Sequence, residues 1–400
     1  MQDLVVVVRI FSGIKAAIES NHWTHSGSPA YYHLIRKLDM SDDFKLKLYF
    51  LAPSVINNNI KKKVYFDNLN TAAKFIPYYP LPFSRHSSTL KRVEFFYNKI
   101  RQYLVIIIET RNFKYFYIDR DNILLTFMLL IMFRSNMVVT RLLGVTEGLY
   151  KHLVVRNNIL SKIIRWTFNS NRSYFICTND GSYAELTKKN LDNDRFYLLF
   201  NGVDKPPTSL RDSRGNGEFK NKIVISYISR IVENKGHINF INSINNIENK
   251  KLIIYIIGDG NLRKQCEELV GKYKLNDIVF FKGNVAHKDA MIYLANSDIF
   301  VYINYDGSFG NGVLEASQLG LPIVTLSHKS FSSKKYPFFK YIENNDRIEE
   351  NLSLFLKEFI FNESLGQLMS KNSAEFSDRF LISWNDRIDE EIKIINSIFI

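Results

Sequence analysis

The run Gly307-Ser308-Phe309-Gly310-Asn311-Gly312-Val313-Leu314-Glu315-Ala316 places three glycines and one carboxylate between an apolar strand and a helix. Because glycine has no side chain, backbone N–H groups can come close to a ligand, and the N-terminus of the helix that follows attracts an anion. Glu315 lies one turn into that helix, where its carboxylate can accept hydrogen bonds from vicinal hydroxyls. The run therefore predicts a loop that binds phosphate and sugar together, as a nucleotide sugar presents them.

Short apolar runs alternate with amphipathic stretches on both sides of this loop. Continuous apolar strands between such helices predict a parallel sheet covered on both faces, which is a Rossmann-like doubly wound domain. Gly320 and Pro322 supply the expected helix stop before the last strand. The predicted strands are 223–229, 252–257, 278–282, 299–303 and 323–325, and the predicted helices are 236–247, 262–273, 288–295 and 312–319.

The first half of the chain predicts a second domain of the same α/β class. A chain of 400 residues suits two domains of about 150 to 200 residues each. The predicted strands are 4–10, 47–51, 115–119, 137–140 and 174–178, and the predicted helices are 29–38, 90–108, 122–133 and 159–168.

The domain boundaries follow from the turn-rich polar stretch 201–217. We expect an acceptor-binding domain over 1–204 and a donor-binding domain over 205–375. A terminal helix over 376–400 is expected to cross back to the first domain. Two such domains would place the carboxyl ends of their sheets across a cleft.

The net charge of +13 is concentrated in the first half of the chain. Residues 1–200 carry 28 Lys and Arg against 15 Asp and Glu, whereas residues 201–400 carry 25 of each kind. We therefore expect the first domain to meet an anionic surface or an acidic partner. Its basic residues are interleaved with aromatic ones, which favours peripheral docking on the inner face of an anionic membrane. Nucleic-acid binding is an alternative that charge alone suggests and no motif supports.

Two cysteines, Cys177 and Cys266, lie in apolar stretches without a partner at metal or redox spacing. They predict buried thiols and a reducing, cytoplasmic location. The first residues lack the charge order and cleavage site of a signal peptide. The most lipid-like segment, 123–133, is shorter than the about 20 residues that a spanning helix needs. We therefore expect no transmembrane helix.

Charged residues and glycines follow successive strands of the second half. Arg230 and Lys235 follow one strand, Gly258-Asp259-Gly260 follows the next, and Gly283 follows a third. Because the carboxyl ends of parallel strands meet at one edge of a sheet, these residues are expected to lie together. Two cations beside a helix N-terminus suit a diphosphate whose charge grows as a bond to it breaks.

The ordered set of motifs resembles the donor domain of the family 4 glycosyltransferases, which have the GT-B fold. The resemblance is strong over residues 175–330 and concerns only the layout elsewhere. The motifs that carry it are Arg230-x4-Lys235-Gly236, Ile257-Gly258-Asp259-Gly260-x-Leu262-Arg263, Phe281-Lys282-Gly283-Asn284-Val285, Phe309-Gly310 through Glu315-Ala316, and Gly320-Leu321-Pro322-Ile323-Val324, with Asn201-Gly202-Val203-Asp204 before them.

The resemblance implies a role for each matching residue. Arg230 and Lys235 would neutralise the donor diphosphate, and Glu315 would hold the ribose hydroxyls. The backbone from Lys282 to Val285 would meet the base. Together with Asp306, the predicted catalytic residues are Arg230, Lys235 and Glu315, and the predicted donor-binding residues are Gly258, Asp259, Gly260, Gly283, Val285, Ser308, Phe309, Gly310, Asn311 and Gly312.

The activity that the resemblance implies is transfer of a sugar, most simply from a UDP-sugar, with retention of the anomeric configuration. The family needs no metal or other cofactor, and a phosphate oxygen of the donor is thought to take the proton of the acceptor. The acceptor would be a glycan or a polyprenyl-diphosphate-linked glycan, as in cell-surface polysaccharide or lipopolysaccharide synthesis. The partners would therefore be a nucleotide sugar and such an acceptor, with no nucleic acid.

One departure from the family pattern concerns the acid nearest the transferred sugar. The family has two glutamates separated by seven residues, and counting back from Glu315 places the first at Gly307, beside Asp306. Asp306 would take its place, backbone amides would suffice, or the chain would be a weak or inactive homologue that acts as a partner subunit. If the missing acid limits the reaction, Gly307→Glu is expected to raise turnover.

A second departure lies in the first domain. Many family members have a histidine shortly before a glycine after a mid-domain strand, and here Arg141 stands three residues before Gly144. We expect Arg141 to replace that histidine electrostatically, although an arginine at a strand end is as often structural. The other candidate acceptor-side residues follow the first strand and are Gly13, His22 and His25.

Asp119-Arg120-Asp121, at a predicted strand end, allows a different interpretation. In metal-dependent GT-A transferases a D-x-D motif binds the metal that holds the donor diphosphate. Two acids at a helix start are more often a cap and a dipole partner. Because the donor site is already placed in the other half, we favour the structural interpretation.

Overall fold

The computed structural model describes residues 2–10, 17–18, 20–23, 29–52, 63–80, 88–191, 194–206, 222–247, 252–328 and 336–399. The chain divides into two compact units, each with its own parallel sheet. The first unit comprises Met1–Thr178, Thr187–Leu199 and Trp384–Ile400, and the second comprises Asn179–Leu186 and Phe200–Ser383.

The strands of the described residues form one sheet in each unit. The strands of the first sheet are β1 (Gln2–Arg9), β2 (Phe44–Leu51), β3 (Lys63–Val64), β4 (Ala73–Ile76), β5 (Tyr115–Asp119), β6 (Met137–Leu142), β7 (Ser173–Thr178) and β8 (Phe196–Leu199). Their order in the sheet is β3-β4-β2-β1-β5-β6-β7-β8, and all neighbouring pairs are parallel except β3–β4. The second sheet is parallel in the order β11-β10-β9-β12-β13-β14, where the strands are β9 (Ile223–Ile228), β10 (Leu252–Ile257), β11 (Val279–Gly283), β12 (Ile299–Tyr302), β13 (Ile323–Leu326) and β14 (Lys340–Ile342).

Helices cover both faces of each sheet. They are α1 (Pro29–Asp39), α2 (Ser88–Glu109), α3 (Ile123–Met132), α4 (Glu147–Tyr150), α5 (Ile159–Asn169), α6 (Ala184–Leu191), α7 (His237–Asn245), α8 (Arg263–Lys272), α9 (His287–Ala295), α10 (Asn311–Gln318), α11 (Ile348–Phe361), α12 (Glu363–Phe380) and α13 (Trp384–Phe399). Central strands are apolar throughout because neither face meets water, and all six residues of β10 are buried. No described helix has the length and apolar character needed to cross a membrane.

Apart from the terminal helix, the strands and helices predicted from the sequence are present with ends shifted by at most three residues, so the α/β class with two doubly wound units is confirmed. The sequence did not indicate the short strands β3, β4, β8 and β14 or the helices α4 and α6. Cys177 and Cys266 are buried free thiols, as expected.

The unit boundaries differ from those that we expected from the sequence. The second unit begins at Phe200 and also includes residues 179–186, and the proposed linker residues beyond 206 lie outside the described part of the chain. The end of α12 belongs to the second unit, because the ring of Phe376 lies 4.9 Å from that of Phe339. A separate helix, α13, begins at Trp384, belongs to the first unit and packs on α1. The terminal helix that returns to the first unit is therefore shorter than 376–400.

A buried charge cluster attaches α13 to the first unit. Glu391 on α13 lies 3.4 Å from Arg141 Nε on β6, and its other oxygen accepts a 2.7 Å hydrogen bond from Arg387. The Tyr117 hydroxyl of β5 donates to Glu391 at 2.6 Å. All three charged side chains are 1% exposed. Burial acts to raise the pKa of Glu391, but the two guanidinium groups and Tyr117 bring it below its usual range. The carboxylate therefore stays ionised and compensates two buried cations.

Glu391→Ala is expected to lower the free energy of unfolding by about 3–5 kcal/mol, because it leaves two guanidinium groups buried without a counter-charge. The measurement is urea unfolding of the full-length protein, with hydrogen exchange of α13 to assign the transition. Glu390→Ala is the matched control, since Glu390 is the exposed neighbour, and its effect should stay within about 0.5 kcal/mol. Equal stability of the two variants would show that the cluster does not hold α13.

Candidate functional site

The carboxyl edge of the second sheet brings together the segments that the sequence singled out. The neighbouring strands β10, β9 and β12 end beside one another. Backbone hydrogen bonds join the segments that follow them, since Ile231 N donates to Asp259 O at 2.9 Å and Tyr305 N donates to Asn234 O at 3.0 Å. The predicted donor residues therefore belong to one connected layer of loops.

The glycines after β10 have a packing role. A Cβ added at Gly258 would lie 2.0 Å from Ser229 O, and one added at Gly260 would lie 2.1 Å from Ile231 O. Gly258 also has a φ of +130°, which side chains rarely adopt. These two positions therefore have to be glycine because two backbone segments touch there. Their contact with a donor stays a prediction.

Lys235 lies at the end of a 3₁₀ turn, Glu233–Lys235, which follows β9. Its half-buried ammonium donates a 3.1 Å hydrogen bond to the hydroxyl of Tyr302 and lies 5.3 Å from the centre of that ring. Burial lowers the pKa of Lys235 to about 8, the carboxylates of Asp306 and Asp180 act in the opposite direction, and Arg230 lowers it further. The ammonium is therefore poorly solvated and sits in a field set by three nearby charges.

Arg230 lies directly after β9, exposed and close enough to Lys235 to affect its pKa. Within the described residues no carboxylate forms an ion pair with Arg230, so its guanidinium can meet an anionic ligand. The predicted cationic pair is thus brought together at the sheet edge. A bound diphosphate would be a suitable counter-ion for these two neighbouring cations.

Asp306 lies on the loop after β12 and faces the Lys235 turn. Its carboxylate accepts a hydrogen bond from the side chain of Asn234, and it raises the pKa of Lys235. The sequence offered three outcomes for the missing first acid, and the role of Asp306 in place of that acid stays a prediction.

Gly307 adopts a left-handed conformation with a φ of +71°. A Cβ added there would lie 2.3 Å from the imidazole of His328. Both the backbone conformation and the neighbouring ring exclude a side chain at this position. This contact argues against a gain in turnover from Gly307→Glu, because the new carboxylate could be placed only by displacing His328.

The loop from β12 to α10 is held by its own side chains. Asn304 donates from its amide to Ser308 O at 2.6 Å and to Ser308 Oγ at 2.8 Å. Phe309 is buried and its amide donates to Asp180 O, so its backbone N–H is already used. Asn311 accepts a 2.8 Å hydrogen bond from Asn201. These residues fix the entry to α10 and leave its first amides as the predicted anion site.

Glu315 lies on α10 and has a partner that the sequence did not reveal. Its Oε1 lies 2.9 Å from Nε2 of His287, the first residue of α9. This hydrogen bond raises the pKa of His287, burial opposes it, and the carboxylates of Glu315 and Asp204 add to it. The Glu315 side chain is 17% exposed, so it remains open to a ligand on one side.

The remaining donor-side predictions lie at the same edge. The Asp259 carboxylate accepts from Gly260 N at 2.7 Å and lies 3.4 Å from the guanidinium of Arg263, which favours a structural role. Gly283 ends β11 with a φ of +68°. Val285 packs against the cluster of Tyr255 and its neighbours, and Gly312 lies in the first turn of α10. Their contacts with the base or phosphate stay predictions.

The acceptor-side predictions fare differently. Gly13 and His25 lie outside the described residues. His22 is exposed, with Nδ1 2.6 Å from Asp67. Arg141 is fully buried in the cluster with Glu391, so the expectation that it replaces the family histidine at an acceptor site is wrong. Its charge holds α13 instead.

The two acids of the D-x-D motif have structural partners. Asp119 is buried and accepts from the Arg9 amide and from Asn122, while Asp121 lies 2.8 Å from the Arg9 guanidinium. Burial raises the pKa of Asp119 to about 6, and the Arg9 amide opposes that shift. These contacts tie β5 to the end of β1, which is a structural role, although Asp119 makes no side-chain capping hydrogen bond to the turn that follows it.

Three residues of the site were missed by the sequence analysis. Tyr302, His287 and His237 are ordinary strand or helix residues in the pattern, and nothing in their spacing separates them from core positions. His237 lies 3.3 Å from Ser229 Oγ, and burial lowers its pKa to about 4 with help from Lys235. It therefore stays neutral. Only its place directly after Gly236 could have drawn attention to it.

Comparison with known proteins places this geometry in context. Residues 209–350 match the family model described as Glycosyl transferases group 1. The sequence is 23% identical to an uncharacterized glycosyltransferase of Methanocaldococcus jannaschii, over 89% of this chain and 91% of that one. The structure resembles sucrose-phosphate synthase from Thermosynechococcus elongatus, with a TM-score of 0.72, 13% identity and coverage of 100% of this chain and 99% of that chain. It also resembles Anabaena HepE in complex with UDP and glucose, with a TM-score of 0.64, 13% identity and coverage of 98% and 100%.

The fold and the loops at its sheet edge define a glycosyltransferase of the GT-B class, which confirms the fold and the type of enzyme expected from the sequence. Over residues 209–350 the chain matches the group 1 glycosyltransferase model, and the rest of the chain lies outside that match. The motifs after β9, β10, β11 and β12 lie within that match.

Gly307→Ala is expected to lower the free energy of unfolding by about 1–3 kcal/mol, because it forces a side chain into a left-handed backbone and against His328. Gly307→Glu should be at least as destabilising and should lower turnover. Thermal unfolding measures both. The matched control is Gly271→Ala, because a Cβ there meets nothing within 4 Å and the site lies inside α8. A Gly307→Ala protein as stable as the Gly271→Ala protein would contradict the steric argument.

Proposed function

We propose that this chain moves a sugar from a UDP-sugar onto a glycan or a lipid-linked glycan, with retention of the anomeric configuration and without a metal or other cofactor. The observation that carries the proposal is the arrangement of Lys235. Its ammonium lies near Arg230 and donates to Tyr302, whose hydroxyl lies against Gly310, the N-cap of the helix that bears Glu315. The two cations are thus linked through Tyr302 to the helix whose N-terminus and Glu315 are proposed to bind the donor.

The arrangement suits a leaving diphosphate. Negative charge grows on the phosphate as the glycosidic bond breaks, and preorganised cations and amides stabilise it more in that state than before. Arg230 and Lys235 supply the charge, and the first turn of α10 supplies the amides. Retention follows if the acceptor attacks from the face that the diphosphate leaves, with a phosphate oxygen taking its proton. Asp306, beside Lys235, is placed to orient the sugar or the ammonium.

UDP is the proposed nucleotide for two reasons. HepE, which shares the fold, has been solved with UDP and glucose. In addition, the segment after β11 offers backbone groups and the partly buried Val285 to a base, which suits the small uracil ring.

The proposal predicts specific donor binding. UDP is expected to raise the melting temperature of the wild type more than GDP or ADP does, because a ligand that binds the folded state more tightly stabilises it more. Glu315→Ala and Lys235→Ala should each weaken UDP binding by about tenfold to a hundredfold, since each removes a charged hydrogen-bonding group. Glu268→Ala, an exposed glutamate of α8, is the matched control and should bind as the wild type does. Release of UDP from UDP-sugars measures turnover.

The outcomes separate the proposed activity from its rival. If no nucleotide shifts the melting temperature, the proposed function is wrong. If UDP binds but neither hydrolysis nor transfer releases it, the partner-subunit alternative is favoured, for which the absence of an acid at Gly307 is the specific observation.

The first unit supports a membrane-facing acceptor through helix α2, which exposes apolar side chains although it buries several polar ones. Asn98 exchanges two 2.8 Å hydrogen bonds with the Tyr79 backbone, and Gln102 donates to Ala52 O at 2.9 Å, whereas the buried residues of the second half of the helix are mainly apolar. Its outer face carries an exposed apolar stripe at helical spacing. The stripe consists of Val93, Phe96, Tyr97, Ile100, Leu104 and Ile108.

A stripe of this kind is rarely left in water. The same unit carries all of the excess positive charge, and basic side chains such as Lys91 and Arg92 lie exposed at the start of the helix. Apolar residues rimmed by cations fit the interface of an anionic bilayer, where the apolar side chains enter the acyl boundary and the cations meet headgroups. We therefore propose peripheral docking on an anionic membrane at the inner face of the cell.

The combined variant Phe96→Ser and Leu104→Ser is expected to weaken binding to phosphatidylglycerol-rich vesicles by about tenfold or more, because each exposed apolar side chain loses its burial in the bilayer. Vesicle co-sedimentation measures the affinity, and salt at about 1 M should weaken the wild type as well. The matched control combines Phe361→Ser and Leu368→Ser, which remove an exposed Phe and Leu from the second unit. Equal binding by both variants, or none by the wild type, would rule out docking through α2.

A further inference from the structure

The hydroxyl of Tyr302 occupies a position between two parts of the site that the sequence treats separately. Tyr302 ends β12 and is 4% exposed. Its oxygen accepts a 3.1 Å hydrogen bond from the ammonium of Lys235. It also lies against Gly310, the N-cap of α10, whose backbone acts to lower the pKa of the phenol. One buried phenol therefore joins the cationic turn to the helix N-terminus.

This hydroxyl explains why residue 310 is a glycine. Gly310 has a φ of −76° and a ψ of 164°, which any residue can adopt. However, a Cβ added there would lie 2.8 Å from Tyr302 Oη. The glycine is thus required by the phenol and not by the backbone conformation.

The phenol keeps its proton at neutral pH. Burial raises the pKa of Tyr302 well above its usual range, with further contributions from Asp180 and Asp306. A hydroxyl that accepts from Lys235 still has its own proton to donate. The two groups that it contacts are the ones proposed to hold phosphate, so an oxygen of that phosphate is a suitable acceptor for this proton.

We propose that Tyr302 is a positioning residue for the transfer reaction: it holds the Lys235 ammonium at the N-terminus of α10 and donates its own proton to an oxygen of the donor diphosphate. This inference rests on the proposed function and adds a residue that the matched motifs do not contain. A flexible lysine fixed in advance loses less entropy when the ligand binds, so its charge acts at full strength as the diphosphate leaves.

The test is Tyr302→Phe, which keeps the ring and removes the hydroxyl. The value of kcat/KM for the UDP-sugar is expected to fall about tenfold, since a hydrogen bond to a charged group is lost. The activity of the wild type should decline as pH rises through the Lys235 pKa of about 8, because the ammonium is the active form. Without the hydroxyl as acceptor, the ammonium is less stabilised, so this decline should move to lower pH by about one unit.

Several charges surround Lys235, and each of them remains in the Tyr302→Phe protein. The shift is therefore measured against an unchanged electrostatic background. The groups that face the ammonium are Arg230 after β9, Asp306 after β12, Asp180 after β7 and the neutral His237 on α7.

Tyr305→Phe is the matched control. Tyr305 lies on the loop that follows β12, and its hydroxyl donates to Asn239 at 2.8 Å and makes no hydrogen bond with Lys235. This variant should keep the kcat/KM and the pH profile of the wild type. A Tyr302→Phe protein whose rate and alkaline limb both match those of Tyr305→Phe would overturn the inference.

A second variant tests the same contact without removing Tyr302. Gly310→Ala places a methyl group against the phenol oxygen and should lower kcat/KM and shift the alkaline limb in the same direction. In the Tyr302→Phe background the same substitution should cost at least fivefold less, because the oxygen that it meets is gone. Additive effects of the two substitutions would also overturn the inference, and the Gly310→Ala result stands even if Tyr302→Phe fails to fold.

The failure of this inference can be told from failure of the proposed function. Binding of UDP to the wild type and release of UDP from a UDP-sugar test the function alone. The dependence of UDP affinity on pH, compared between the wild type and Tyr302→Phe, reports the Lys235 contact even where no acceptor is known.

Discussion

The second unit depends on keeping the Lys235 ammonium away from water beside the phenol of Tyr302. Removing a cation from solvent is costly unless other groups stabilise it. Here the phenol oxygen and two nearby carboxylates offset part of that cost, and Arg230 adds to it. The site is therefore left electrostatically incomplete, and an anionic ligand is what completes it. Backbone bonds between the loops after β9, β10 and β12 keep these groups in place before any ligand arrives.

Much of this architecture could be predicted from the sequence. The period of apolar residues indicated nearly every long strand and helix, and glycines with charges at successive strand ends indicated the correct sheet edge. The short strand β8 and the helix α6 were missed because they carry no clear period. The boundary error has a different cause. Phe376 and Phe380 resemble any amphipathic stretch, and only packing against Phe339 shows that they belong to the second unit.

The role of individual side chains was harder to predict than their location. Arg141 stands where the family has an acceptor-side histidine, but a partner 250 residues later in the chain, Glu391, uses its charge for structure. No local pattern reports a contact of that range. Tyr302 and His287 were missed for the same reason, since a tyrosine at a strand end and a histidine at a helix start are ordinary residues until their neighbours are known. Helix α2 shows the converse. Its sequence showed that apolar and polar residues alternate along the helix, but not which of its faces is exposed to water.

The imidazole of His328 fills the space that a side chain at position 307 would need, and this has an evolutionary consequence. A lineage that carries His328 cannot acquire an acid at position 307 in a single step, since the imidazole already fills the space that the new side chain needs. The smaller residue at 328 would have to appear first, and a change of loop conformation would have to accompany it. The two positions are therefore epistatic, because His328, a residue outside the motif, prevents a return to the two-glutamate pattern.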